Sequence, residues 1–331
     1  MTTLKDVARL ASVDVSTVSR ALNNSAQVHP ETKAKILMAA KRLGYKPELV
    51  SKSMLPDRRN LIAVILPSAT LNIFSDLLSE FQIKARNRGY GVLVAYSKAE
   101  QQDEAKALND LHAFVDGILI VPTCLNAELL RDIHSRGTSI VQLIRKHDED
   151  ISSVTSNYYD ICRKSVRLLY EKGCRHIGLL HGHKAINTFS ERLSGYLKEI
   201  GELSLPELTA GTDKIAIPDY EDGIQGTLSL LEQDPELDGI LVESDLEGMG
   251  ALRILKEKGL PCPEKVRILS LTGSFLGQIS ETKISSAEFP ISEMAEKALD
   301  LLLSSIEMPK DKKPSTIHIV FNGLLKERET T

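Results

Sequence analysis

The sequence predicts an α/β protein in two parts, a small helical head and a large core of two doubly wound parallel lobes. Three observations predict it. Within the first sixty residues, apolar positions recur three and four apart, the stripe of short amphipathic helices. From Leu61 onward, short continuous apolar runs alternate with amphipathic stretches, the pattern of parallel strands covered on both faces by helices. Charge divides at the same place. Residues 1–60 hold eleven Lys/Arg against five Asp/Glu, and the rest of the 331-residue chain holds 30 against 40, beneath an overall charge of −4. A basic head on an acidic body suits salt-sensitive affinity for a phosphate polymer, although a merely solvated basic helix face has the same count.

In the head, Leu4, Val7, Ala8 and Ala11 mark a first helix, with Thr3 as cap and Asp6 three residues on as the partner of a capping box. Ser12-Val13 interrupts, and Asp14 is placed to cap a second helix. That helix buries Val18 and Leu22 and leaves Val15, Ser16, Ser19, Arg20 and Asn23 on its other side. Two short helices joined by a tight turn suit insertion into a DNA major groove, where Arg can donate two hydrogen bonds to a guanine edge. An ordinary helical hairpin is the alternative. Pro30 opens a third helix, striped by Ile36, Leu37, Ala40 and Leu43 and stopped at Gly44. Between Pro47 and Asn60, Glu48 to Leu55 has room for about two helical turns before Pro56; by itself it reads equally as plain linker.

In the body, strands are expected at 61–66, 92–96, 117–121, 139–143, 176–180, 239–242, 266–271 and 317–321. Helices are expected, for example, at 74–88, 160–172, 192–200, 248–258 and 292–306. Two lobes in this rhythm enclose a ligand cleft between their strand ends. The four cysteines lack paired spacing, which argues against a zinc site or disulfide framework. No signal segment or apolar run of about 18 residues stands in the chain, so a cytoplasmic protein with no membrane partner is expected. The sequence has no phosphate-cradling glycine loop, nucleophile elbow or metal-ligand cluster, so neither an enzyme nor a cofactor is expected. Gly178-Leu-Leu-His-Gly-His183 reads either as a catalytic pair or as an ordinary strand-end loop with two histidines.

KDVARLASVDVSTVSRALNNS, followed by a third helix and LGYKP, resembles the lactose/galactose-repressor (LacI/GalR) family of bacterial transcription regulators. The resemblance continues at lower density through the core. It implies that residues 1–46 form a helix-turn-helix DNA-binding domain, 47–60 a hinge helix and linker, and 61–331 an effector-binding and dimerisation core like a periplasmic binding protein. Lobe one is then about 61–157 with 287–321, and lobe two about 158–286 with 322–331. The chain is expected to cross between them near Asn157, Ser286 and Asn322. Val15, Ser16 and Arg20 fall where bases are read; Thr17, Asn23, His29, Lys33, Tyr45 and Lys52 fall where the DNA backbone is held. Met54 aligns with the residue that wedges into a central base step. Asp14 and Glu48 stand where the family usually has neutral residues, and each brings a negative charge close to DNA.

The same resemblance places Asn72, Phe74, Thr123, Arg145, Thr188, Arg192, Tyr220, Asp245 and Thr272 at the effector cleft. For Phe74 a core role, and for Asp245 a helix cap, stand beside that reading. Glu243-Ser-Asp follows the family's Ala-Asn-Asp. Thr272 replaces an acid commonly found there, and Arg145-Lys146 replaces a common Asp-Arg. A guanidinium-rich, acid-poor cleft, with His181 or His183 near it, suggests a sugar acid or sugar phosphate; if Arg145 points to solvent that inference lapses. The expectation is a homodimeric repressor of carbohydrate-related genes that binds a pseudo-palindromic operator under effector control. The alternatives are a regulator answering to a protein corepressor and a core without a working effector.

Overall fold

A computed structural model of the chain describes residues 3–22, 28–43, 59–69, 72–123, 126–183, 186–211, 218–309 and 315–331. It divides into two units, Met1–Arg59 and Asn60–Thr331.

In the first unit, α1 (Leu4–Ala11) opens on the expected capping box. Thr3 Oγ1 accepts from the Asp6 amide, and Asp6 Oδ2 accepts from the Thr3 amide at 2.8 Å. Ser12 turns the chain in the left-handed region, with φ 55°. α2 (Val15–Leu22) follows, its first turn closed by the Val18 amide donating to the Asp14 carbonyl at 3.1 Å. α3 (Pro30–Arg42) begins with Pro30 in its first turn, where a missing N–H costs nothing. Val7, Ala8, Val18, Ala21, Ile36, Ala39 and Ala40 form the small core. Leu37 is not among them, being 49% exposed. With Ile36, Ala39 and Ala40 facing inward, the helical step of about 100° per residue carries Leu37 outward.

The second unit holds two six-stranded sheets. Sheet one runs β1 (Leu61–Leu66), β2 (Gly91–Tyr96), β3 (Gly117–Ile120), β4 (Ser139–Ile144), β5 (Ser153–Ser156) and, much later in the chain, β11 (His318–Phe321). Its spatial order is β11-β5-β4-β3-β1-β2, all parallel. Sheet two contains β6 (Ile177–His181), β7 (Leu208–Gly211), β8 (Gly239–Val242), β9 (Arg267–Ser270), β10 (Ser285–Glu288) and β12 (Leu324–Lys326). Its order is β12-β10-β9-β8-β6-β7, antiparallel only between β10 and β12. Helices α4 (Asn72–Asn87) and α12 (Ile291–Glu307) share a core with one face of sheet one; α5 (Gln101–Leu111) and α6 (Ala127–Ser135) pack on the other. On sheet two, α7 (Tyr158–Glu171) and α8 (Asn187–Leu203) lie opposite α9 (Tyr220–Gln233) and α10 (Asp245–Glu257), and a short α11 (Phe275–Ile279) follows β9.

The expected strands and helices are present, most with ends shifted by one to three residues and α8 beginning five residues early. Four strands escape the sequence pattern: β5, β7, β10 and β12. Two of them are polar, yet Ser153, Ser156, Ser285 and Ser286 are all buried. Their hydroxyls find partners, as when Ser153 Oγ meets His318 Nδ1 of the neighbouring strand at 2.8 Å and Ser286 Oγ accepts from Arg328 at 2.8 Å. Tertiary pairing here overrides the weak strand propensity of serine.

Three segments connect the sheets, at Asn157, at Phe289–Pro290 and at Asn322–Gly323. The second crossing lies beyond the expected Ser286, because β10 continues to Glu288, paired with Leu324 of β12. The crossings lie against one another: the Asn157 amide donates to the Phe321 carbonyl at 2.9 Å, and Asn157 Nδ2 to Asn322 Oδ1 at 3.4 Å.

Candidate functional site

The fold prepares two sites. In the head, burial of Val18 and Ala21 sets the orientation of α2, leaving Val15, Ser16 and Arg20 exposed and Thr17 half-buried. Arg20 lies back along its own helix, donating Nε to the Ser16 carbonyl at 3.2 Å and Nη2 to Ser16 Oγ at 3.3 Å. His29 stands exposed at the start of α3 without a side-chain capping bond, and Lys33 is half-buried one turn on. Asn23, Tyr45, Lys52 and Met54 lie outside the described residues, as does nearly all of the expected hinge.

The second site follows from topology. In each sheet the chain leaves a central strand (β1, β6), pairs its next strand on one side and then crosses to the other. Loops diverge at that switch, and a crevice opens beyond the carboxyl ends of the strands. A cavity of about 440 Å³, its mouth included, opens there. Ile144 and Arg145 reach it from the end of β4, Glu243 and Ser244 from β8, and Thr272 from β9. Phe74 comes from α4, Tyr158 from α7, and Thr188, Phe189 and Arg192 from α8.

Arg192 is the centre of the wall. Nη1 pairs with Glu243 Oε2, and Nη2 donates to Thr272 Oγ1 at 2.5 Å. Its guanidinium lies over the Tyr158 ring, 4.5 Å from the centroid. Arg192 Nε and Glu243 Oε1 are buried without hydrogen-bond partners among the described residues. Burial pushes the Glu243 carboxyl up to about 7, against the pull of Arg192 and Arg145. Behind it, Glu247 accepts from the Glu243 amide at 2.7 Å. Burial, joined by the Glu243 charge, raises its carboxyl well above the ordinary range. Arg145 is buried, with its guanidinium 5.8 Å from the Phe189 centroid and Nη1 3.5 Å from the Pro122 carbonyl.

Five of the nine expected cleft residues, Phe74, Arg145, Thr188, Arg192 and Thr272, line this cavity. Asn72 opens α4, and its side chain lies outside the described residues. The structure gives the other three different neighbours. Thr123 is held by buried Glu104, which accepts from its amide at 2.6 Å and its hydroxyl at 2.9 Å. Asp245 Oδ2 accepts from the Ser274 amide at 2.6 Å, the Ser274 hydroxyl at 2.8 Å and the Gly277 amide at 3.2 Å, and so secures the start of α11. Capping of α10 falls instead to Ser244, whose hydroxyl accepts from Glu247. Tyr220 is 38% exposed at the start of α9, outside the cavity lining. His181 turns its ring to the Gly182 carbonyl at 2.9 Å and does not line the cavity.

Glu243 corrects the reading of the cleft as acid-poor. The signal for it was present: a carboxylate directly after the apolar run 239–242, where a strand end in a doubly wound sheet meets the crevice. Tyr158 and Phe189 were also missed, because an aromatic residue in a helix is legible only as core.

Among the described residues, no helix is long and apolar enough to cross a membrane, and no cluster of His, Cys, Asp or Glu is placed to hold a metal ion. Comparison with known proteins agrees with the geometry. Residues 3–48 match the bacterial regulatory proteins of the lacI family, and residues 149–331 match the periplasmic binding protein-like domain. The chain is 28% identical over 333 residues to the ribose operon repressor of Halalkalibacterium halodurans, covering 100% of this chain and 97% of that one. It is 29% identical over 337 residues to the HTH-type transcriptional regulator RegA of Clostridium saccharobutylicum, covering 100% and 99%. Among solved structures, the complex of the transcriptional regulator CelR with cellobiose superposes with a TM-score of 0.74 at 25% identity over the full length of both chains. The chain therefore carries a DNA-binding domain of the lacI family of bacterial regulatory proteins and a core that belongs to the periplasmic binding protein-like family, and its relatives are transcriptional regulators, not enzymes.

Proposed function

We propose that this regulator represses carbohydrate-related genes in the bacterial cytoplasm, binding a pseudo-palindromic operator as a homodimer and releasing or gripping it as a small ligand enters the core cavity. The observation that carries the reading is the joining in one chain of a helix-turn-helix head, with Val15, Ser16 and Arg20 outward on α2, to an inter-sheet cavity walled by Arg192, Glu243 and aromatic rings. Two heads on a two-fold axis would address two half-sites. A ligand that binds the two lobe arrangements with different affinity shifts the balance between them, and by linkage shifts operator affinity. Val15, Ser16 and Arg20, with Met54, are assigned to bases; Thr17, Asn23, His29, Lys33, Tyr45 and Lys52 are assigned to the backbone. The names of the relatives, a ribose operon repressor and a regulator in complex with cellobiose, support a sugar as the ligand.

The expectation of an anionic ligand, which rested on a cleft rich in guanidinium and poor in acid, is revised: Arg145 is buried at the cavity as that reading required, but Glu243 supplies a carboxylate to Arg192. Selection from a library of duplexes by the full-length protein, at several salt concentrations, tests the operator assignment. Enrichment of one near-palindromic site is expected; uniform weak binding with a steep salt dependence would overturn it.

A further inference from the structure

We infer that Glu243 is a specificity-determining residue: it occupies the anion-binding edge of Arg192 from within the protein and so restricts the cavity to neutral, hydroxyl-bearing ligands. The inference rests on the reading of this cavity as the effector site and names the chemical class of its ligand.

A guanidinium recognises a carboxylate or phosphate through two parallel N–H bonds from one edge of its fork. In Arg192 both η nitrogens are engaged, Nη1 by Glu243 and Nη2 by Thr272. Either edge of the fork therefore includes a nitrogen already engaged by the protein. The one nitrogen of Arg192 without a partner among the described residues is Nε, and Glu243 Oε1 is likewise unpartnered, on paired side chains at the wall of the same cavity. A ligand hydroxyl can accept from Nε or donate to Oε1, whereas a carboxylate can only accept. Each atom is buried without a partner among the described residues, a costly condition that a hydroxylated ligand relieves. The aromatic rings of Phe74, Tyr158 and Phe189 provide apolar faces beside this polar pair.

Charge reinforces the geometry. Arg192 on α8 and Arg145 after β4 act on Glu243; Glu243 in turn raises Glu247 on α10 and Cys162 on α7, and Arg192 pulls down Glu191 on α8 against its burial. With Glu243 ionised, its carboxylate repels a second anion at Arg192. Once it takes a proton, Arg192 loses its charged partner and an anion can replace it. Burial holds this carboxyl near 7, so the exchange falls within an accessible pH range.

The test measures binding of D-ribose and cellobiose, as neutral probes, and of D-gluconate and inorganic phosphate, as anionic ones, to the full-length protein by calorimetry between about pH 6 and 8.5. At the upper end the wild type is expected to bind the anions at least about tenfold more weakly than Glu243→Gln does, and its anion affinity is expected to rise as pH falls through about 7. Glu243→Gln should lose that pH dependence. Adding Thr272→Asp to Glu243→Gln returns a carboxylate to Arg192 and should again exclude the anions. Because Glu243→Gln leaves a buried guanidinium without its charged partner and risks misfolding, the pH titration of the wild type supplies an arm that needs no variant. Anion binding by the wild type at pH 8.5 equal to that at pH 6, or no gain in a folded Glu243→Gln, overturns the inference. Binding that follows the expected pattern without altering operator affinity would instead count against the effector assignment, so the two failures are distinguishable.

Discussion

Tyr158 and Phe289 pack ring against ring where two of the three crossings meet, with centroids 5.4 Å apart and planes at 60°. Tyr158 also lines the cavity beneath Arg192, whereas Phe289 continues toward the third crossing. A Cβ added at Gly323 would come within 2.8 Å of Phe289 Cε1 and 3.2 Å of Ile161 Cδ1. One aromatic pair thus joins the cavity wall to the chain segments that cross between the two sheets.

Phe289→Ala should therefore cost about 3–5 kcal/mol of core stability, as a buried aromatic truncation does. Gly323→Ala should cost less, since the intruding methyl meets a ring that can shift slightly. Urea unfolding of the full chain measures both. A loss below about 1 kcal/mol for Phe289→Ala would show that the ring does not bear on the crossings.

Asp245 predicts a purely structural effect. Asp245→Ala removes the acceptor of the Ser274 and Gly277 amides and should destabilise the core by about 1–3 kcal/mol. Binding of the neutral sugar probes should change little, since the carboxylate serves α11 and does not line the cavity. A large loss of sugar affinity in a folded variant would return Asp245 to the ligand site.

The buried acids make stability depend on pH. Glu243 and Glu247 have native values raised above those of the unfolded chain, chiefly by burial. The folded protein therefore holds protons that the unfolded chain releases, and their stabilising effect is complete only below the ordinary carboxylate range. It is lost as pH rises through their native values, about 7 for Glu243. The urea midpoint should fall between about pH 5 and 8, and Glu247→Gln, which keeps the shape and removes the titration, should flatten part of that fall. An unaltered slope in Glu247→Gln would mean that this carboxyl does not titrate as its burial requires.

In the head, Arg20→Ala should weaken binding to the selected operator on the order of ten- to a hundredfold while leaving non-specific binding nearly unchanged, as expected for a residue that reads bases. Asp14→Ser removes a negative charge from the start of α2 and should strengthen binding to all duplexes alike. Equal losses on specific and random DNA for Arg20→Ala would make it a phosphate contact.

Much of this architecture was legible in one dimension. The capping box of Thr3 and Asp6, the apolar stripe of Val7 and Ala8, and the runs that became β1, β4 and β8 follow from local physics that a sequence displays directly. Leu37, β5 and β10 were not legible, because their burial or exposure depends on neighbours distant in the chain. The family's helix-turn-helix pattern was visible as an ordered string of residues, and Arg192 stood out through the motif around it.

The arginines at the cleft followed from the family resemblance; by itself, the sequence determined the two-part division and the doubly wound rhythm of the core. These are properties of composition and period. Only the tertiary structure decided that Thr123 and Asp245 secure loops, and that Glu243, one strand away from the position where an acid was sought, closes on Arg192. The physical reason is the register of the parallel sheet. β8 and β9 are neighbours, with Val242 opposite Ser270, so residues 28 apart in sequence end side by side at the rim. A carboxylate lost from one strand end can be supplied from the next, and no local pattern in the chain records the exchange.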